Sequence, residues 1–345
     1  MIKNTSGQDP LDLAKQLIAI PSLTGQEGEL VDFLKDLLIG LGLEVTEQAV
    51  EGRRRNLLAL SGPSPRVILC THLDTVPPFI PPSEDDEYLY GRGACDTKGI
   101  AAVLIRAVSG MSPEARAACG LLFLVGEETD SLGAEKANDL SLRPDFIVVG
   151  EPTENKLGLG HKGFISVRLA ARGKKAHSGY PHLGESAVSK LLDALQRVRA
   201  LQFGQDRVLG NSTLNIGRVE GGVAANVVPD SAWALISIRC ARPSGEILDK
   251  VRTAAAGLVE VDVLDVSEPQ ELFIVPGFET VVLSYSTDIP HLRVFGRPLL
   301  FGPGSILDAH TDQERISKSQ MREAVGLYQK LVAVLLALPD PGGRT

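Results

Sequence analysis

The sequence predicts an α/β protein in which a domain with a mostly parallel sheet is interrupted by an inserted α+β domain. Two observations support this fold class. Short, nearly continuous apolar runs alternate with helical stretches over the first part of the chain, which is typical of strands buried on both faces of a parallel sheet. From residue 162 the strands instead alternate apolar with polar residues, until buried runs return at about residue 272. We therefore expect residues 1–161 and 272–345 to form one discontinuous domain around an insert at 162–271.

Composition limits the class of protein. The chain has 345 residues, 43% hydrophobic and 23% charged, which is ordinary for a packed protein of about two domains. The 35 basic and 43 acidic residues give a net charge of −8, which argues against nucleic acid or an anionic membrane as the partner. The four cysteines form no C-x-x-C pair, the N-terminus is polar, and no apolar run approaches about 20 residues. We expect a soluble, cytoplasmic protein.

The first elements are two predicted helices. Asp9 and Pro10 match an N-cap and a first helical residue, and apolar residues at helical spacing continue until Pro21. Thr24 and Glu27 match a capping box at the start of a second amphipathic helix, which a Gly-Leu-Gly sequence ends.

Strands and helices then alternate in two styles. The apolar runs that predict buried strands are 56–60, 67–70, 121–125 and 146–149, with a helix over 99–108. In the insert, an alternating strand over 164–172 and a helix over 188–198 precede strands at 213–219, 232–239 and 259–266. A strand, helix, strand, strand, helix, strand order is typical of a small ferredoxin-like α+β module. Buried strands follow at 281–283 and 298–301, and a last helix carries apolar residues from 321 to 335.

Acidic and imidazole side chains recur where buried strands end. His72 and Asp74 follow the first of these strands, Glu127 and Glu128 follow the next, and Glu151 follows the third. The carboxyl ends of parallel strands meet at one sheet edge, which forms the ligand crevice of such folds. Clustered carboxylates would repel one another unless a cation neutralised them. The pattern therefore predicts a metal centre.

The residue types indicate how that centre is built. His72 and Asp74, two apart on an extended segment, point the same way, so the aspartate can orient the imidazole. Asp96 lies in a glycine-rich turn before a helix and can reach the same edge. Adjacent side chains diverge in extended backbone, so one of Glu127 and Glu128 can bind metal while the other acts as a general base. Imidazole and carboxylate ligands without thiolate suit zinc, cobalt or manganese.

Six segments, in order along nearly the whole chain, resemble the M20 metallopeptidase family, and most closely its acetylornithine deacetylase and succinyl-diaminopimelate desuccinylase branch. These segments are LCTHLDTVP (69–77), YGRGACDTKG (90–99), GEE (126–128), GEPT (150–153), KAHS (175–178) and AHTDQE (309–314). The resemblance implies a zinc-hydrolase catalytic domain with two metal ions and an inserted lid that forms a homodimer.

The resemblance also implies the metal ligands. Asp96 would bridge two divalent ions, most simply Zn²⁺, with Co²⁺ or Mn²⁺ as alternatives. His72 and Glu151 would complete one site, and Glu128 and His310 the other. A glutamate at position 151, rather than an aspartate, is associated with deacylases and carboxypeptidases of the family and argues against an aminopeptidase.

Further roles follow from the same resemblance. Glu127 would take a proton from the attacking water and pass it to the leaving amine. His177 would reach across the dimer to stabilise the oxyanion. The implied substrate-binding residues are Arg239, Asn226, Gly304 and Ser305.

Simpler interpretations stay open for several of these residues. Asp96 and Glu151 could each cap a helix. His177 and Arg239 could form a salt bridge within the lid, and Asn226 could only make a turn before a proline. The G-x-G-x-x-G sequence at 158–163 opens a strand rather than a helix, so it does not indicate dinucleotide binding.

We therefore predict a metal-dependent hydrolase that removes an N-acyl group from an α-amino acid such as acetylornithine, as in arginine or lysine biosynthesis. The alternative within the family is a carboxypeptidase or dipeptidase. The alternative from another class is a non-catalytic protein that binds a metal or ligand.

Overall fold

The computed structural model describes residues 9–339 and divides them into two compact units. The first unit contains the described residues up to Gly158, Leu272–Val281, and the described residues from Thr287 onward. The second unit contains Leu159–Glu271 and Val282–Ser286. The domain boundaries given above, at 161/162 and 271/272, stay predictions.

The described residues form eight α-helices and twenty strands. The helices are α1 (Pro10–Ala19), α2 (Gly28–Gly40), α3 (Lys98–Ser109), α4 (Pro113–Ala117), α5 (Leu132–Ala137), α6 (Ala187–Arg199), α7 (Ser244–Ala255) and α8 (Lys318–Ala337). The first ten strands are β1 (Glu44–Glu51), β2 (Arg54–Leu60), β3 (Val67–His72), β4 (Ser83–Glu84), β5 (Tyr88–Tyr90), β6 (Cys119–Leu124), β7 (Phe146–Val149), β8 (Leu157–His161), β9 (Gly163–Arg172) and β10 (Ala176–His177). The others are β11 (Gln205–Asp206), β12 (Gly210–Asn211), β13 (Thr213–Gly221), β14 (Val227–Val228), β15 (Ser231–Cys240), β16 (Glu260–Ser267), β17 (Gln270–Glu271), β18 (Thr280–Leu283), β19 (Arg297–Leu300) and β20 (Arg315–Ser317).

A six-stranded sheet organises the first unit. Its order is β1-β2-β6-β3-β7-β19, and the four strands from β6 to β19 run parallel while β1 and β2 pair antiparallel. Strands β3, β6 and β7 are buried along their whole length, as expected for the centre of a covered sheet. The prediction of a mostly parallel sheet is confirmed.

Helix α3 packs against the sheet and against two other helices. It contacts β3 and β6 of the sheet, and it contacts α1 and α8. All of its residues except the last are buried, which explains why its sequence is apolar almost all round. Because α3 is fixed in this way, the turn before it, which carries Asp96, has a defined position at the sheet edge.

Of the two N-terminal helix caps predicted from the sequence, one is confirmed and the other is wrong. The Asp9 side chain accepts a hydrogen bond from the Leu11 N–H and caps α1, as predicted. The capping box predicted for the second helix is wrong, because α2 begins at Gly28 and has no side-chain cap. Thr24 instead donates to Asp74, and Glu27 accepts from the Gly25 N–H. A tertiary hydrogen bond has replaced the local one.

The second unit is an α+β sandwich of one sheet and two helices. The sheet order is β13-β15-β9-β16, with all neighbouring strands antiparallel. Helices α6 and α7 contact this sheet. The alternating residues of β9 and β15 are buried on that side, which gives this unit its own apolar core. The predicted fold class, an α/β catalytic domain with an inserted α+β domain, is confirmed by the architecture and by the comparisons reported below.

Among residues 9–339, no helix is long and apolar enough to cross a membrane.

Candidate metal centre

The carboxyl ends of β3, β6 and β7 bring the predicted acidic clusters together. Strand β3 ends at His72, and it pairs in parallel with both β6 and β7. Glu127 and Glu128 follow β6, and Glu151 follows β7. The three segments therefore reach the same edge of one sheet, where ligand crevices form in parallel sheets.

The first group of metal-binding side chains consists of His72, Asp96 and Glu151. All three are buried, and each offers a ligand atom within 4.8 Å of the other two. His72 Nε2 lies 3.0 Å from Asp96 Oδ1 and 3.8 Å from Glu151 Oε1. These are the imidazole and carboxylate donors that suit Zn²⁺, Co²⁺ or Mn²⁺.

The second group consists of Asp96, Glu128 and His310. His310 Nε2 lies 3.2 Å from Asp96 Oδ2 and 3.0 Å from Glu128 Oε2. The backbone of His310 is left-handed, with φ at +59°, and this uncommon conformation is often kept at functional sites. Asp96 belongs to both groups and turns a different oxygen toward each histidine. That arrangement is what a bridging carboxylate requires.

The charge balance of the cluster fits two divalent ions. Asp96, Glu127, Glu128 and Glu151 are all buried or nearly so, and Glu151 Oε1 accepts no hydrogen bond from the described residues. A buried carboxylate oxygen without a donor is costly, and a metal ion satisfies it. Burial raises the pKa of Glu151 well above its usual range, so the protein without metal holds this group in an unfavourable environment.

Glu127 lies beside the two groups without belonging to either. Its Oε2 is 4.0 Å from His72 Nε2, and its side chain is only 16% exposed. Burial, with the neighbouring Glu151 carboxylate, raises the pKa of Glu127 well above its ordinary value. A carboxylate with a raised pKa next to a metal site has the property needed to accept and return a proton.

Asp74 organises the loop that carries both glutamates. Its Oδ1 accepts hydrogen bonds from the N–H groups of Gly126 and Glu127 at 2.8 and 3.1 Å, and its Oδ2 accepts from the Glu128 N–H at 3.1 Å. The Nδ1 of His72 lies 3.0 Å from the backbone oxygen of Asp74 and 3.6 Å from its carboxylate. Asp74 thus contacts the imidazole as expected, and it also fixes the backbone of Glu127 and Glu128, which the sequence pattern did not indicate.

Acidic neighbours raise the pKa values of both His72 and His310. Burial opposes the charged form of His72, but its contacts with Asp74 and Asp96 raise its pKa well above the usual range. Hydrogen bonds with Asp96 and Glu128 raise the pKa of His310 to about 10. The raised pKa of His310 favours a proton on this ring when no metal is bound. Burial opposes the ionisation of Asp96, but the two imidazoles outweigh it and lower the pKa of this carboxylate.

His177 and Asn226 lie next to each other in the second unit. Strands β10 and β14 pair His177 with Val227, and the Ser178 N–H donates to the backbone oxygen of Asn226. The Gly179 N–H donates to His177 Nδ1 at 3.1 Å. An accepting Nδ1 leaves Nε2 as the nitrogen that carries the proton, so an exposed N–H donor is available at this histidine.

Arg239 lies on β15 in the second unit. Its guanidinium carbon is 4.6 Å from the centroid of the Phe164 ring, and Nη1 donates to Ser286 Oγ at 3.3 Å. Burial lowers its pKa below the usual value. No carboxylate of the described residues forms an ion pair with this arginine, so its remaining donors can bind an anion. The alternative of a salt bridge within the lid has no support for Arg239.

Gly304 and Ser305 lie in the first unit, in the loop after β19. Gly304 has a φ of +90°, and its N–H donates to Gln320 Oε1 at 2.9 Å. Ser305 forms a bridge with Thr153 and donates to Glu154. The loop is therefore held against the segment that follows Glu151.

Some residues of the site had no predicted role. Glu314 accepts hydrogen bonds from the turn that carries Asp96, and its place in the AHTDQE motif was the only indication in the sequence. Asp288 is buried, with its pKa raised to about 6 by burial, and it raises the pKa of Glu127. The three-residue Ser-Thr-Asp segment that contains Asp288 has no pattern from which this could be inferred.

Comparison with known proteins defines the class of this chain. A family model described as the peptidase dimerisation domain of M20 proteins matches residues 159–265. A peptidase M20 domain-containing protein of Schizosaccharomyces pombe is 40% identical and covers 95% of this chain and 85% of its own length. A probable carboxypeptidase of Aspergillus terreus is 41% identical over 93% of this chain and 85% of its own length.

Two solved structures share the fold. A tripeptidase from Staphylococcus aureus superposes with a TM-score of 0.76 at 21% identity and covers 96% of this chain and 99% of its own. A dinuclear metal-binding M20 peptidase from Bacillus subtilis has a TM-score of 0.69 at 15% identity over 95% and 98% of the two chains. Fold, site and relatives define a metal-dependent hydrolase that acts on amide or peptide bonds. The chain belongs to the M20 peptidase family.

Proposed function

We propose that this protein uses two divalent metal ions to hydrolyse the amide bond next to an amino acid with a free carboxylate. The observation that carries the proposal is the pair of ligand groups that share Asp96, with Glu127 beside them and outside both. Two ions held in this way would lower the pKa of the attacking water and polarise the scissile carbonyl. We propose Zn²⁺, with Co²⁺ or Mn²⁺ as alternatives.

The protein's own residues move the proton. We assign Glu127 as the general base that accepts a proton from the attacking water and then donates it to the leaving nitrogen. Its raised pKa suits both halves of that task, because a group with an ordinary carboxyl pKa would return the proton poorly. Asp74 keeps Glu127 in place through the hydrogen bond to its N–H.

Two residues of the second unit complete the proposed chemistry. His177 reaches across the proposed dimer and donates its Nε2–H to the oxyanion of the tetrahedral intermediate in the partner subunit, a role supported by the hydrogen bond that Gly179 makes to Nδ1. Arg239 binds the substrate carboxylate, supported by its half-buried guanidinium without an acidic partner in the described residues. We propose that Asn226 orients the substrate beside His177, and that Gly304 and Ser305 bind its amino-acid end.

The acyl side of the substrate defines two candidate activities. The names of the Aspergillus relatives, which are probable carboxypeptidases, favour a peptide with a free C-terminus. The motifs shared with acetylornithine deacetylases favour an N-acyl amino acid such as acetylornithine. Both substrates present the same carboxylate and amide to the residues named above, so both follow from one mechanism. A dipeptide belongs to both classes, because it is an N-acylated amino acid with a free C-terminus.

We further propose that the protein is a homodimer formed through the second unit and located in the cytoplasm. The match to a dimerisation domain over 159–265 supports the dimer. The four cysteines are all free and buried, which agrees with a reducing compartment. Light scattering coupled to gel filtration tests the dimer directly, and a mass of 36.8 kDa would contradict it.

A substrate panel tests the proposed activity. Zinc-loaded protein is assayed with acetylornithine, acetylcitrulline, succinyl-diaminopimelate and a series of dipeptides and tripeptides. Each substrate is paired with its C-terminal amide, which lacks the carboxylate proposed to bind Arg239. We expect hydrolysis of the free acids and at least about a hundredfold lower kcat/KM for the amides, the loss expected for an unpaired buried charge. Equal hydrolysis of acids and amides would contradict the assigned substrate class.

A further inference from the structure

A buried ion pair lies next to the metal centre and is not part of either ligand group. Arg92 Nη1 is 2.7 Å from Glu314 Oε2, and the two side chains are 2% and 0% exposed. Such a pair is weak support for stability, because the loss of hydration cancels much of the attraction. The other contacts of Glu314 indicate that this pair has a role in the metal centre instead.

The other oxygen of Glu314 binds the backbone of the turn that carries Asp96. Glu314 Oε1 accepts hydrogen bonds from the N–H groups of Gly93, Cys95 and Asp96 at 3.0, 3.2 and 3.2 Å. The Gly91 N–H also donates to the backbone oxygen of Glu314 at 3.0 Å. Four N–H groups of one short turn therefore depend on a single residue that lies more than 200 positions away in the sequence.

The turn has little freedom to adopt another path. Gly93 has a φ of +87°, and a Cβ at this position would lie 2.9 Å from side-chain carbons of Lys98 and 3.1 Å from Thr75. Helix α3 begins at Lys98, so the turn is fixed at its far end as well. Glu314 itself lies four residues after His310, so one segment contributes a metal-binding side chain and holds the turn that carries another.

We propose that Glu314, held in place by Arg92, is a positioning residue that sets the orientation of the bridging carboxylate of Asp96. This inference rests on the proposed function, because it takes Asp96 as the ligand shared by two metal ions. A bridge needs Oδ1 directed toward His72 and Oδ2 toward His310, at the observed 3.0 and 3.2 Å. A small rotation of the Asp96 backbone would move one oxygen away from its ion. Arg92 donates from Nη1 to Oε2 of Glu314 and from Nε to the backbone oxygen of Pro78, which leaves Oε1 free to accept from the three N–H groups.

The test compares two substitutions of the same chemical kind. Glu314→Gln keeps the size of the side chain but removes the charge that binds Arg92 and the turn. Asp145→Asn is the control, because Asp145 is also buried and paired with an arginine, with Arg66 Nε at 2.7 Å, and it precedes β7, at the opposite end of that strand from Glu151. Both variants lose a buried carboxylate, so both should have a lower melting temperature. Only Glu314→Gln should bind metal more weakly.

The readout is zinc binding by competition with a chromogenic chelator, together with kcat and KM at saturating zinc. We expect Glu314→Gln to raise the dissociation constant of the more weakly bound zinc ion by about 10- to 100-fold, as for other residues that hold a metal ligand in place. Asp145→Asn should stay within about twofold of wild type in that constant. At saturating zinc, Glu314→Gln should recover kcat with an unchanged KM, because the residue does not touch the substrate.

A second variant covers the case in which Glu314→Gln does not fold. Arg92→Lys keeps the positive charge but loses the planar fork, and it should weaken zinc binding by less than about tenfold. Zinc binding equal to wild type in every variant that folds would overturn the inference while leaving the metal centre intact. A wild-type protein that binds no zinc would instead contradict the proposed function, so the two failures are distinguishable.

Discussion

The adjacent residues Glu127 and Glu128 allow the proposed division of labour to be tested by one kind of substitution. Glu128 belongs to a ligand group with Asp96 and His310, whereas Glu127 belongs to none. Both become neutral on substitution with glutamine, and both keep their size and their backbone hydrogen bonds to Asp74. We expect Glu127→Gln to keep both metal ions and lose turnover, and Glu128→Gln to lose metal.

The magnitude for Glu127→Gln follows from its position. Its Oε2 lies 4.0 Å from His72 Nε2, which is too far for a direct hydrogen bond, so metal binding should change little. Loss of a positioned general base lowers a rate by about 10²- to 10⁴-fold, which corresponds to about 3 to 5 kcal/mol of transition-state stabilisation. The fall should appear in kcat, because the proton is transferred only as the reaction proceeds.

The assay measures two quantities on the same samples. Bound zinc per chain is determined by inductively coupled plasma mass spectrometry after gel filtration, and initial rates are measured on the preferred substrate of the wild-type panel. A Glu127→Gln protein that keeps its zinc and turns over within about threefold of the wild type would refute the assignment of the base. A Glu128→Gln protein with full zinc content would refute the assignment of the second ligand group.

Three further predictions concern pH, the lid and substrate recognition. The pKa of about 10 for His310 without metal means that this ring is protonated at pH 7 and its proton stabilises the metal-free cluster until pH exceeds that value. Because zinc must displace that proton, the zinc affinity should rise by up to about tenfold per pH unit between pH 6 and 8. Calorimetry measures this affinity, and an affinity that does not change with pH would contradict the prediction. His177→Ala should lower kcat by about 10²- to 10³-fold without loss of zinc, and an unchanged kcat would remove His177 from the site. Arg239→Met should cost about 2 to 4 kcal/mol in kcat/KM for free acids but little for their C-terminal amides, so an equal loss on both would contradict the carboxylate clamp.

Most strands of the six-stranded sheet in the first unit could be predicted because they are buried on both faces. The runs at 67–70 and 146–149 lie in β3 and β7, and their apolar character follows from the burial of every residue of these strands. Strand β1 was missed, since it is half exposed at the sheet edge and carries four glutamates or glutamines in eight residues. An edge strand with a polar face has no continuous apolar run to indicate it.

Three of the candidate ligands could be predicted from the strand pattern for a related reason, whereas the residues that hold them could not. The ends of three parallel strands bring His72, Glu128 and Glu151 to the same edge of the sheet. The residues that hold them depend on contacts across long sequence distances, such as Glu314 with the turn before α3 and Thr24 with Asp74. Thr24 shows the difference, because a local capping pattern gave way to a hydrogen bond that exists only in the folded chain.

The proposed pair of metal ions is tested most directly by anomalous X-ray diffraction from zinc-soaked crystals at the zinc absorption edge. We expect two anomalous peaks about 3.5 Å apart on either side of the Asp96 carboxylate. One peak should lie next to His72 and Glu151, and the other next to Glu128 and His310. A single peak, or two peaks of which neither contacts Asp96, would contradict a centre of two metal ions bridged by Asp96.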